Sequence, residues 1–148
     1  MNRFRPRILA VATLLAASAS LALSRRAAAE ELPAFRQGMW EFDRTVEGMD
    51  PSGKPQTFKV EKCTSPSDDM KQQDAMLRQM GCTFSAITRT GNAYTFEATC
   101  NVQGQSSHSK STLTAESDSA YTIAVESQQA GMKTHEKLIA RRTGDCKK

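Results

Sequence analysis

Four cysteines, Cys63, Cys82, Cys100 and Cys146, constrain this chain more than any other feature, because they dictate which strand ends must meet. How they are used depends on compartment, and the N-terminus speaks to that. Met1–Arg7 carries three arginines, Ile8–Leu23 is apolar apart from Thr and Ser, and Ala27-Ala28-Ala29 forms a small-x-small site. That order is a secretory signal peptide over residues 1–29, with cleavage expected before Glu30. The apolar run is about 16 residues, short of the roughly 20 that span a bilayer, so no stable membrane insertion is expected. An even cysteine count in an exported chain reads as two disulfides. The spacings of 19, 18 and 46 contain no C-x₂₋₄-C pair of the kind zinc sites use. The expected location is periplasmic or secreted.

Removing the leader changes the charge balance. The full chain has 20 Lys and Arg against 16 Asp and Glu; five of the cations and none of the acids lie in the leader. Residues 30–148 are therefore close to neutral and lack the basic footprint of a nucleic-acid binder. Arg141-Arg142 and Lys147-Lys148 read as a solvated chain end.

The remaining residues are the length of one domain. Phe35–Val46 alternates, with Trp40 and Phe42 on one face and Glu41 and Asp43 on the other, as a half-buried strand does. Turn formers fill Gly48–Gly53, and Thr57–Lys62 alternates again with Phe58 and Val60 inward. After Cys63 the period changes. Ser65 suits a cap, Pro66 the first helical position, Asp68 and Asp69 the positive end of the dipole, and Gly81 the stop. Met70, Met76, Leu77 and Met80 share one face of that helix. From Cys82 the chain alternates once more. Phe84, Tyr94, Phe96, Leu113, Tyr121, Ile123 and Val125 turn inward, with turns at Gly91-Asn92 and Ala130-Gly131 and a polar loop over Gln103–Ser109. The expected fold is α+β, a curved antiparallel β-meander of about seven strands packed around one amphipathic helix.

This topology restricts the disulfides. If the last strand lies beside the first, Cys100 falls at the end of the sheet where the Cys82 strand starts, and Cys63 and Cys146 fall at the other. The helix, rising 1.5 Å per residue, carries the chain about 21 Å between the two ends. Bridged cysteines need Cα atoms within about 7 Å, which leaves Cys82–Cys100 and Cys63–Cys146.

Catalytic motifs are scarce. No G-x-S-x-G elbow, glycine-rich phosphate loop or H-E-x-x-H is present. Ser107-His108-Ser109-Lys110 matches S-x-x-K, but on a strand its Ser and Lys point to opposite faces. An enzyme is not expected, and no cofactor is called for. Three readings of the methionines remain open. Met70, Met76, Leu77 and Met80 are first a core stripe; with Trp40 they could instead line a site for a small apolar ligand or an envelope protein. Met49, Met132 and His135 could offer soft ligation to Cu(I).

Several motifs in order resemble a bacterial domain of unknown function numbered 3617. They are Gly38-x-Trp40-Glu41, Cys63-Thr64 before a helix, Cys82 and Cys100 flanking a hairpin, and Arg141-Arg142-x-Gly144-Asp145-Cys146. The resemblance implies a small exported protein, mostly of Gram-negative bacteria, with no established activity and no catalytic residues to carry over.

Overall fold

A computed structural model describes residues 30–147. The expected signal peptide lies outside them. Eight strands form one open antiparallel sheet: β1 (Gly38–Glu47), β2 (Gln56–Thr64), β3 (Cys82–Phe84), β4 (Thr88–Thr90), β5 (Ala93–Val102), β6 (Gln105–Ser117), β7 (Ala120–Gln129) and β8 (Met132–Gly144). The single helix α1 (Pro66–Gln79) follows β2. The strand order is β2-β1-β8-β7-β6-β5-β3, with β4 also on β5, so the last strand does lie beside the first.

The eighth strand comes from a bulge. Phe84 pairs with Ala98 and Thr88 with Thr95, so three residues of one strand face two of the other. Ser85 repairs the ladder there: its amide donates to the Glu97 carbonyl, and the Glu97 amide donates to its hydroxyl, each at 2.9 Å. The loop expected over Gln103–Ser109 shrinks to two residues. Gln103 and Gly104 both take positive φ, 51° and 79°, the conformation of a type I′ hairpin, and β6 starts at Gln105. A strand is expected from His108; polar composition hid its first residues, and its serines alternate with residues on the outer face.

Register places the apolar set on one face. Val60, Phe42, Ala140, Tyr121 and Ala115 form one cross-strand row, and Phe58, Arg44, Leu138, Ile123, Leu113 and Tyr94 form the next. This inner face carries the helix. The core lies where it meets the N-terminal segment. Phe35, expected in the first strand, precedes it and stacks 4.4 Å from Tyr121 and 6.2 Å, edge-on, from Trp40. Trp40 is wholly buried, with its Nε1 donating to the Arg36 carbonyl at 3.0 Å.

The first turn of α1 is fixed to this cluster. Pro66 is buried, Met70 packs on the core, and the Phe35 amide donates to Ser67 Oγ at 2.8 Å. Ser65 holds the cap position without a side-chain cap bond, and its carbonyl instead accepts from the Asp68 and Asp69 amides. Asp69 accepts from Lys62 Nζ at 2.7 Å and Thr64 Oγ1 at 2.8 Å. Partial burial pushes its pKa up, but the bonds from Lys62 and Thr64 outweigh that and hold it below 3.8.

The two bridges are Cys63–Cys146, Cα atoms 5.4 Å apart, and Cys82–Cys100, 4.0 Å apart. The second joins residues directly opposite each other on β3 and β5. The first reaches from β2 over the start of β1 to the chain beyond β8. There Arg142 departs from a solvated chain end. Its guanidinium donates to the Gln37 carbonyl at 3.0 Å, pairs with Asp145, and lies against Gly38, where a Cβ would strike it and the Gly144 carbonyl.

Three outcomes are expected. In a chain-entropy model the bridge across 83 residues is worth about 4.5 kcal/mol and that across 18 about 3. Denaturant titration should therefore find Cys63→Ser/Cys146→Ser less stable than Cys82→Ser/Cys100→Ser; equal losses would refute this ranking. Gly38→Ala should cost about 1–3 kcal/mol by overpacking, read from the same midpoints. A carboxylate held below its ordinary value stabilises above that value and loses the contribution as pH falls through its folded pKa. Wild type should therefore lose stability below pH 3.8 that Asp69→Asn does not lose. The pair is half-exposed and screened, so the difference should stay below about 1 kcal/mol.

Candidate functional site

The helix crosses the inner face on a diagonal. It leaves β2 at the end of the sheet where Cys63, Met39 and Gly144 lie in register. It arrives at β3 on the opposite edge, level with Cys82, Cys100, Ser107, Gln129 and Met132. Only its ends are tied down, one by the aromatic cluster and one by the chain turning through Gly81, φ 93°, into the Cys82–Cys100 bridge. Between those ties the middle turns stand off the sheet, and a groove of about 710 Å³ opens beneath them. Its floor is Phe42, Tyr121, Ile123 and Leu138, one wall is Phe58 and Val60 of β2, and the roof is Met70, Gln73 and Met76.

Of the candidate ligand residues, the structure places two at this groove. Met70 and Met76 line it. Trp40 lies instead at the centre of the core. Leu77 and Met80 are not among its walls, and Met80 is 51% exposed. The core-stripe reading of the helix holds for Met70, which packs on the core, and fails for Met76, 53% exposed, and Met80; among helix residues only Pro66 is fully buried. A helical stripe reports which side of a helix is apolar, not how closely that side approaches its sheet.

The groove also holds charge that the sequence pattern does not single out. Arg44 sits on the inner face between Phe58 and Leu138, where its guanidinium bonds Glu136 at 2.7 Å. Strand alternation from Trp40 and Phe42 points to it, since residue 44 shares their parity. Lys62 is matched by Asp69 and sits 5.6 Å over the Phe42 ring. Each cation of the groove thus meets a carboxylate. Burial first, and the nearby Asp69 charge second, push the Tyr121 phenol far above its ordinary pKa, so the floor carries a neutral hydroxyl.

The Met49, Met132 and His135 set fares differently. Gly48, next to Met49, abuts Lys133, so all three residues lie at one end of the sheet. Met132 and His135 are three apart on β8, however, and strand alternation sends them to opposite faces. His135 stands on the outer face in the cross-strand row Glu97, Lys110, Glu126, His135, Glu47. His108 shares that face, with Nδ1 3.3 Å from Thr99 Oγ1, and the two imidazoles border a shallow depression of about 350 Å³. Among the described residues, no three His, Cys, Asp or Glu side chains gather as a metal-binding group. Also among them, no helix is long and apolar enough to cross a membrane.

No curated protein and no solved structure matches the chain. A family model described as "Protein of unknown function (DUF3617)" matches residues 35–146, from the phenylalanine that plugs the core to the last disulfide cysteine. The chain belongs to that family.

Proposed function

We propose that this protein is an exported, non-catalytic binding protein, periplasmic or secreted, that holds a small apolar ligand between α1 and the inner face of its sheet. The observation that carries the reading is the uncovered apolar wall. Phe58, Val60 and Met76, each about half-exposed, all border the same groove. Large apolar side chains left bare together mark an interaction surface rather than a folding residue. The volume, about 710 Å³, lies within the range of small-molecule pockets. Charge supports a neutral ligand: the Arg44–Glu136 and Lys62–Asp69 pairs leave no unmatched charge to recognise an ionic one. Two disulfides suit the oxidising compartment outside the cytoplasm.

Titration with N-phenyl-1-naphthylamine, a neutral apolar fluorophore that brightens on leaving water, tests the reading. Wild type should bind it, Met76→Glu should weaken binding by roughly tenfold or more through a charge set in the apolar roof, and Met80→Glu should leave it unchanged. No enhancement with wild type, or equal binding by the Met76 variant, would sink the proposal. A native mass spectrum of protein recovered after export, without extraction, should show the 30–148 chain less four hydrogens plus the mass of a lipid-sized molecule.

A further inference from the structure

The two edges of the sheet are built differently. One is blunt: β3 and β4 are three residues each, and the bulge over 85–87 separates them. The other is β2, nine residues long, paired among the described residues only with β1 and exposed at eight of its nine positions. Its pairing with β1 runs from Gln56 to Thr64 without a register shift, and it contains no Pro or Gly. Edges of that length are commonly protected by bulges, prolines or free lysines. The lysines here are engaged. Lys59 Nζ lies 3.1 Å from Glu41 and 3.9 Å from Asp43, and Lys62 is bound to Asp69.

We infer that β2 pairs antiparallel with β2 of a second copy of this chain, about a two-fold axis at Val60. Residues opposite each other in such a pair must share a face, so the axis passes through a residue and not between two. An axis at Lys59 sets it against the partner's Lys59, and an axis at Glu61 sets it against the partner's Glu61. Either register opposes like charges directly across the new ladder. An axis at Val60 instead sets Lys59 against the partner's Glu61 and, by symmetry, Glu61 against the partner's Lys59. On the inner face, Phe58 then meets the partner's Lys62, and Val60 meets the partner's Val60.

The charges within the chain favour the same register. Glu61 stands directly opposite Glu41 on β1, a like-charge pair. A partner lysine on its free side offsets that repulsion. On the inner face, Phe58 and Val60, 50% and 52% exposed, gain the partner strand at their edge side only, and their groove-facing sides stay open as the two inner faces join into one apolar wall.

A charge-reversal pair tests this by sedimentation velocity on the oxidised, exported protein. Wild type should form a concentration-dependent dimer. Glu61→Lys should be monomeric where wild type dimerises, because lysines then face lysines across the axis. The fold is not at risk, since the new lysine faces Glu41 in its own chain. Lys59→Glu should be monomeric for the mirror reason, with its melting curve showing that it is folded. Mixed in equal amounts, the two variants should form a heterodimer, because both cross-axis contacts then join opposite charges. A monomeric wild type, a Glu61→Lys variant that dimerises as wild type does, or a mixture that stays monomeric would each overturn the inference.

Discussion

The way α1 is tied to the sheet governs the molecule. Fourteen helical residues cover about 21 Å and carry the chain from the β2 edge at one end of the sheet to the β3 edge at the other. One end is held by Met70 packing on the cluster of Phe35, Trp40 and Tyr121, the other by a chain that enters a disulfide-locked strand at once. A helix held at both ends and unsupported between them leaves space, and that space is the groove. The floor stays apolar because it continues the core row of Phe42, Ala140 and Tyr121, while the roof is built of unbranched methionine and glutamine side chains.

Much of this architecture is legible in the sequence. Alternation places Phe58, Val60, Phe84, Tyr94, Phe96, Leu113, Tyr121, Ile123 and Val125 on one face, and the register agrees for every one. The assumption that the last strand closes beside the first leads to the disulfide pairs, and β1 does lie between β2 and β8. The departures from that reading have separate physical origins. Phe35 has the parity of the outward Glu41 and Asp43, yet it precedes the ladder, and off the strand it turns into the core. Gln103-Gly104 shows that a non-glycine residue can take positive φ in a two-residue turn, which composition alone does not signal. Met76 and Met80 are legible as an apolar stripe but not as an uncovered one, because stand-off depends on where the helix is anchored at both ends.

The groove is therefore only half visible in the chain. Its floor and β2 wall are period-two strand residues, and alternation alone names them. Its charged members are another matter: Arg44 shares a face with Trp40 and Phe42, but the Glu136 that neutralises it is 92 residues away and meets it only through the β1–β8 register. Net charge near zero in residues 30–148 is a property of the chain; neutrality inside the groove is a property of register.

The motifs that carry the family likeness lie elsewhere. Gly38 and Trp40 open β1, and Arg142, Gly144 and Cys146 close the chain beside them. Gly38 has no room for a Cβ because Arg142 and Gly144 occupy it, and Cys146 ties the same corner to Cys63. Those residues are required by the closure of the sheet onto its own first strand, whatever the groove holds. Phe58, Val60, Met76 and Arg44, which shape the groove, belong to none of them. Membership of the family therefore speaks to how the sheet closes, and the ligand must be argued from the groove itself.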